Sequence, residues 1–157
     1  MATFGRELQA VAYLILGSRA DAEEIVIDTV MTAWHRSSEL RDPAALRSWL
    51  LRISTRQAIS RKRRIETALL TLSEDEHLLP SEPAPSIDRV AMLDALAGLP
   101  REMRAAVVLH YFADLTVEDT AGALGKSRNT IKAQIREGLR RLRSALDVGA
   151  PGERAGD

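Results

Sequence analysis

Residues 120–139 read TAGALGKSRNTIKAQIREGL, and the fold turns on how they are parsed. Val117, Ala121 and Leu124 share one face of a short helix, and Thr116 with Asp119 stands at capping-box spacing at its start. Gly125 supplies the turn. Ser127 caps a second helix, down one side of which run Ile131, Ile135, Leu139, Leu142 and Leu146. Small Ala121 lets the two helices approach, and Ile131 plugs the second against the first. Residues 117–136 therefore have helix-turn-helix spacing. Beside Ser127, the second helix exposes Arg128, Asn129, Thr130, Lys132, Ala133 and Arg136 near its N-terminus. These include donors suited to base edges and phosphates, at a helix end already favourable to anions. A plain helical hairpin with a solvated basic face fits the same pattern. Lys126 departs from the motif, which usually has an apolar residue after the glycine; its stem can snorkel over the turn.

Upstream of this hairpin the helical period continues. Pro100 suits the first turn of a helix carrying Met103, Val107 and Leu109, and Ser86 can cap a shorter one ending near Gly98. The N-terminal part reads as three helices. Phe4, Leu8, Val11, Ala12, Ile15 and Leu16 form the first stripe, with Gly17 as its stop. Ser18 and Asp21 cap a second, in which Ala22, Ile25, Val26, Thr29, Val30, Ala33 and Trp34 are taken as inward. Asp42 and Pro43 open a third, carrying Leu46, Trp49, Leu50 and Ile53 inward and ending in the basic run SRKRR. No strand-like alternation of useful length and no repeat is present. The fold class is all-α: two small helical bundles joined by a flexible acidic linker. The domains are 1–64, a Pro-containing linker at 65–85, 86–148, and a disordered tail at 149–157.

Lys and Arg total 22, as do Asp and Glu, which argues against indiscriminate polyanion binding. The charge is segregated, however. Residues 41–64 hold eight Arg or Lys and one acid, residues 65–88 six acids and no Arg or Lys, and residues 126–143 seven Arg or Lys and one acid. Two basic segments flanking an acidic one predict two polyanion contacts with something different between them. The sequence has no cysteine, which removes disulfides, thiol nucleophiles and Cys-based zinc sites and fits a reducing cytoplasm. His35, His77 and His110 are scattered without partners at metal spacing, so neither metal nor cofactor is expected. Glu23, Glu24 and Asp28 lack a nucleophile or phosphate loop nearby and read as a solvated or partner-facing surface, not as acid–base machinery. No membrane insertion is expected.

Taken together, the motifs carry a resemblance. LPREMRAAVVLHYFADLTVEDTAGALGKSRNTIKAQIREGLRRLR, residues 99–143, resembles region 4, the C-terminal DNA-binding domain of extracytoplasmic-function sigma factors. SRADAEEIVIDTVMTAWHR, residues 18–36, resembles the region-2 helix with which such factors grip the RNA polymerase core. LRSWLLRISTRQAISRKRR, residues 46–64, resembles their promoter-melting helix. The order is right, and details such as DTA and KAQIREG are similar to an actinobacterial subgroup.

The resemblance implies a cytoplasmic specificity subunit, not an enzyme, whose partners are the polymerase core (β′ and β subunits), promoter DNA and, as a candidate, an anti-sigma factor. Ser127, Arg128, Asn129, Thr130, Lys132, Ala133 and Arg136 would read the minus-thirty-five element. Arg52, Arg56, Arg61, Lys62, Arg63 and Arg64 would track the backbone of the melted minus-ten element. Trp49 could stack an extruded base, although its place among Leu46, Leu50 and Ile53 favours core packing. Asp21, Glu24, Ile25 and Asp28 would face the polymerase. The family usually has Gln at Ile27, Phe at Val30, Asn at Arg56, Asp at Ser60 and Gly at Asn129. The rival functions are a sigma-like decoy that sequesters an anti-sigma factor and a stand-alone helix-turn-helix repressor. In the free protein the two domains are expected to move about residues 65–85, unless an inhibitor clamps them.

Overall fold

A computed structural model describes residues 2–71 and 87–149. Its seven α-helices begin and end largely where capping chemistry predicts. Helix α1, Ala2–Leu16, buries Leu8, Val11, Ala12, Ile15 and Leu16. It stops at Gly17, whose φ of 74° lets its N–H reach back to the Tyr13 carbonyl at 2.7 Å. The Ser18 side chain then accepts from the Asp21 N–H at 3.2 Å and opens α2, Arg19–His35.

Helix α2 corrects one expectation. Its buried residues are Ala22, Ile25 and Thr29, but Trp34 is 78 % exposed and Val30 is exposed as well. At about 100° per residue, Trp34 lies roughly 180° around the helix from Ile25, and Ile27, Val30 and Met31 flank it. The predicted single stripe is two stripes on opposite faces, and only one meets the core.

Asp42 accepts from the Ala44 N–H at 2.9 Å and, with Pro43, starts a 3₁₀ turn that runs into α3, Leu46–Thr71. Helix α3 buries Leu50, Leu51, Ile53, Ala58 and Ile59. It continues past Arg64, where a linker was expected. Ala68, Leu69 and Leu70 are good helix formers, no Gly or Pro interrupts them, and Glu66 is held by Arg101 at 2.6 Å. The remaining linker residues, Ser86 and most of the expected tail lie outside the described residues.

The second half comprises α4, Ile87–Ala97; α5, Arg101–Val107, continued by a π-helical turn at Val108–Phe112; α6, Val117–Leu124; and α7, Arg128–Gly149. A satellite core of Ala106, Ala121, Ile131 and Ile135 holds α5, α6 and α7 together. Gly138, on the inner side of α7, sits where α5 crosses. A Cβ there would lie 2.6 Å from Val107 Cγ2 and 3.3 Å from Met103 Cγ. Val107 is β-branched and cannot swing aside. The Gly138→Val variant is therefore expected to lose about 1–3 kcal/mol through overpacking, read as a lower denaturant midpoint. An unchanged midpoint would show that α5 and α7 slide apart freely.

The two halves are not separate in this structure. One core cluster contains Leu8, Val11 and Ile15 of α1, Leu50 and Leu51 of α3, Leu96 of α4, and Val108 and Leu109. This packed arrangement differs from the expected mobile pair. Besides this shared core, a set of arginine contacts that the local sequence does not announce joins the halves. Arg104, only 4 % exposed, donates to the Ile15 carbonyl at 2.7 Å, Ala97 at 2.7 Å and Leu99 at 3.1 Å. It thereby serves the carbonyl-rich C-terminal ends of α1 and α4 together. Arg47 spans Glu7 and the Ala113 carbonyl, and Arg56 donates to the Ala123 and Gly122 carbonyls at 3.0 and 3.3 Å.

Candidate nucleic-acid interface

The α6–α7 hairpin is built as its sequence requires. The Thr116 hydroxyl accepts from the Asp119 N–H at 3.0 Å. Gly125 adopts φ 63° and, like Lys126, donates its N–H to the Ala121 carbonyl, closing the helix end. Ser127 Oγ accepts from the Thr130 N–H at 3.1 Å and lies 2.9 Å from Thr130 Oγ1. Its hydroxyl therefore sets the start of α7. Ile131 is fully buried against α6, worth roughly 1.5–3 kcal/mol, and fixes which residues turn outward. Lys126 does not simply cover the turn: its ammonium pairs with Glu102 of α5 at 3.1 Å and ties the turn to the helix behind it.

With Ile131 and Ile135 inside, Ser127, Arg128, Asn129, Thr130, Lys132, Ala133 and Arg136 are all exposed around the first turns of α7. Arg128, Lys132 and Arg136 make no ion pair among the described residues. Further along, Arg140 and Arg141 both bond Glu137, at 2.7 to 2.8 Å. These bonds, first from Arg140 and then from Arg141, hold the Glu137 carboxyl at about 2, against an ordinary 4.5. The folded chain takes up this proton less readily than the unfolded chain. The resulting stabilisation is present above about pH 4.5 and is lost as pH falls towards 2. In Glu137→Gln the melting-temperature difference from wild type is expected to vanish over that window. At neutral pH the variant frees two guanidinium groups and should steepen the salt dependence of duplex binding by about one to two phosphate contacts. A salt slope equal to wild type would place Arg140 and Arg141 outside the DNA surface.

The basic run of α3 divides by helix geometry. Arg52, Arg63 and Arg64 are exposed and without an ion pair among the described residues. Arg61 is claimed by α2: its Nε is 2.9 Å from Asp21 and its Nη2 is 2.5 Å from Glu24. These contacts, the Glu24 bond above all, raise its pKa. Lys62 is half-buried, and burial, followed by the positive charge of Arg104, holds its pKa below lysine's ordinary value. Arg56 is committed to the carbonyls of α6. Trp49 is half-buried: it packs on the core and also borders a cavity of about 380 Å³ with Ser48, Arg52, Glu118 and Asp119.

On α2, Asp28 is exposed, whereas Ile25 is 2 % exposed and lies in the core. Asp21 and Glu24 are the partners of Arg61. The outward apolar residues are Ile27, Val30, Met31 and Trp34, a set that the one-stripe reading hid. Among the described residues there is no cluster of His, Asp and Glu suited to a metal, and no helix long and apolar enough to cross a membrane. His110 Nδ1 lies 2.7 Å from the Leu115 carbonyl, a bond within its own turn.

An all-α chain with a helix-turn-helix at one end and a long basic helix at the other has the parts of a sigma-70-type transcription factor. The comparisons agree. Residues 1–67 match the family model for Sigma-70 region 2, and residues 89–142 match that for Sigma-70, region 4. The chain is 32 % identical over 147 residues to the ECF RNA polymerase sigma factor SigM of Mycobacterium tuberculosis, covering 92 % of this chain and 75 % of SigM. It is 28 % identical over 141 residues to SigL of the same organism, covering 86 % and 80 %. A co-crystal structure of the sigma factor RpoE with the anti-sigma factor NepR from Bartonella quintana shares the fold. Its TM-score is 0.78 at 24 % identity, with 94 % of each chain covered. The chain belongs to the extracytoplasmic-function family of RNA polymerase sigma factors.

Proposed function

We propose that this chain binds the RNA polymerase core and directs initiation at a particular promoter class. In this reading α7 recognises the minus-thirty-five element and α3 holds the melted minus-ten element. The observation that carries the proposal is the cationic start of α7, without an ion pair among the described residues and held outward by Ile131 and Ile135 while the hairpin behind it is capped. Arg128, Lys132 and Arg136 can donate to guanine edges or phosphates, and Asn129 and Thr130 extend the polar face. On α3, Arg52, Arg63 and Arg64, which have no ion pair among the described residues, are the cations offered to backbone phosphates, with Trp49 beside Arg52 as a stacking surface. The exposed apolar face of α2, bordered by Asp28, is the proposed polymerase contact. An anti-sigma factor is a further proposed partner, as NepR is for RpoE in the Bartonella complex.

The first test is reconstitution with sigma-free core polymerase on supercoiled DNA carrying the region upstream of its own gene. Specific transcripts are expected; core binding without transcripts would point to the decoy reading. Within α7, Lys132→Ala and Arg136→Ala should each weaken promoter binding, by about 1–3 kcal/mol where the side chain reads a base. A base reader also relaxes preference at one position, whereas a phosphate contact lowers affinity for all sequences alike. Wild-type binding by both variants would move the reading face elsewhere.

A further inference from the structure

We propose that the outer groove between α1 and α4 binds a single-chain anionic amphiphile, a fatty carboxylate of medium length. The site is independent of α7 and of the basic face of α3.

Two adjoining cavities form the groove. One, of about 340 Å³, is apolar and is lined by Leu14 of α1, Met92 and Leu93 of α4, and Phe112 of the π-helical turn. The other, of about 350 Å³, is cationic, with Arg6 and Gln9 of α1, Arg19 at the start of α2, and Arg89 of α4. Ala10, Tyr13 and Arg89 line both. Helix geometry explains the division: Arg6, Gln9 and Tyr13 follow one line down α1, and Ala10 and Leu14 the line beside it. Each cavity has the size of a small-molecule site. Ala10 keeps the boundary between them low, so an alkyl chain can pass from one into the other. Arg89 stands beside this crossing, its guanidinium 6.0 Å from the Tyr13 ring centroid.

Charge and exposed apolar area select the occupant. Among the described residues no Asp or Glu lines either cavity, and Glu23, which Gln9 reaches at 3.4 Å, lies outside the lining. Arg6 and Arg89 are exposed and make no ion pair among the described residues. A guanidinium offers a carboxylate two parallel hydrogen bonds. At the other end Met92 and Phe112 are exposed, apolar area that gains by leaving water. A cation is repelled here, and a neutral apolar molecule leaves the arginines unused. An anionic head with one alkyl tail satisfies both cavities. Such a ligand touches α1, α2, α4 and the π-helical turn at once, so its binding stabilises the folded chain.

The full chain is titrated calorimetrically with hexanoate, octanoate and decanoate, each below its micelle concentration. One site is expected, with affinity rising about fourfold per added methylene. Octanol, equal in length to octanoate but uncharged, should bind at least about ten-fold more weakly. Arg89→Met should remove most of that preference. Met92→Glu sets a like charge in the exposed mouth of the apolar cavity and should weaken octanoate at least about ten-fold, with the unliganded melting temperature near wild type. Decanoate should raise the melting temperature of wild type and leave that of Met92→Glu unmoved.

No saturable binding, or an affinity independent of chain length, overturns the site. So does binding that survives both variants but is lost in Trp34→Ala, which places the ligand on the apolar face of α2. Sedimentation with phosphatidylglycerol vesicles, without binding of soluble carboxylates, would make the groove a membrane-docking face. Dimerisation that Met92→Glu abolishes would assign it to a second copy of the chain. Either result refutes the amphiphile.

Discussion

Replacing Arg104 with alanine is expected to cost about 3–5 kcal/mol, a large part of the stability of an ordinary domain. One guanidinium serves three carbonyls, on Ile15, Ala97 and Leu99, at the ends of α1 and α4. Ile15 and Ala97 are helix-end acceptors and Leu99 lies in the turn after α4; water reaches them poorly once the halves are packed, and a charged donor is worth more than a neutral one. The alanine variant leaves those carbonyls unpaired and opens a void where the stem lay. Methionine separates the two losses, because it refills much of the volume but still donates nothing. Arg104→Met should recover part of the deficit and remain clearly below wild type in denaturant midpoint. A further readout is specific to this geometry. The Arg104 charge helps hold the Lys62 pKa down, so in either variant the Lys62 ammonium should titrate closer to its ordinary 10.5. A loss under about 1 kcal/mol for alanine would mean that the three carbonyls are satisfied without this side chain.

Much of this architecture was legible because it is local. Ser18, Asp42, Thr116 and Ser127 cap as their spacing demands, Gly17 and Gly125 take left-handed turns, and Ile131 meets Ala121. The outward set on α7 follows from those facts alone. What the sequence withheld is of three kinds. On α2 nearly every turn has an apolar residue on both faces, so periodicity could not tell the buried Ile25 from the exposed Trp34. On α3 and α5, Arg47, Arg56 and Arg104 look like any solvated cation until their acceptors are known. Each reaches at least one backbone carbonyl between 66 and 89 residues away, and a carbonyl leaves no mark in the sequence. Beyond Arg64 the acids and prolines further on make the whole segment read as linker and hide the helical run that reaches Thr71.

The exposed face of α2 gives the largest expected effect on function. Trp34 is 78 % exposed, Ile27 63 %, Met31 54 % and Val30 39 %, all on one side of the helix. A contiguous apolar stripe of this kind is a docking surface by default, since leaving it in water stabilises nothing. Its spacing suits a partner helix laid alongside. Under the proposed function that partner is the polymerase core, and Trp34 is the anchor with the most area to bury. Trp34→Ala should therefore weaken core binding by about 2 kcal/mol or more, roughly thirty-fold in Kd, with stability within about 0.5 kcal/mol of wild type. Asp28→Ala, at the margin of the stripe, should change mainly the association rate and its salt dependence. Ile25→Ala supplies the contrast. Ile25 is fully packed, so its loss should cost about 2–5 kcal/mol of stability and reduce core binding only through unfolding. If Trp34→Ala binds core like wild type while Ile25→Ala, still folded at low temperature, does not, the polymerase contact lies on another face. Asp21 and Glu24 would then have to leave Arg61 to make it, and core affinity would fall with rising salt in wild type as those charges were screened.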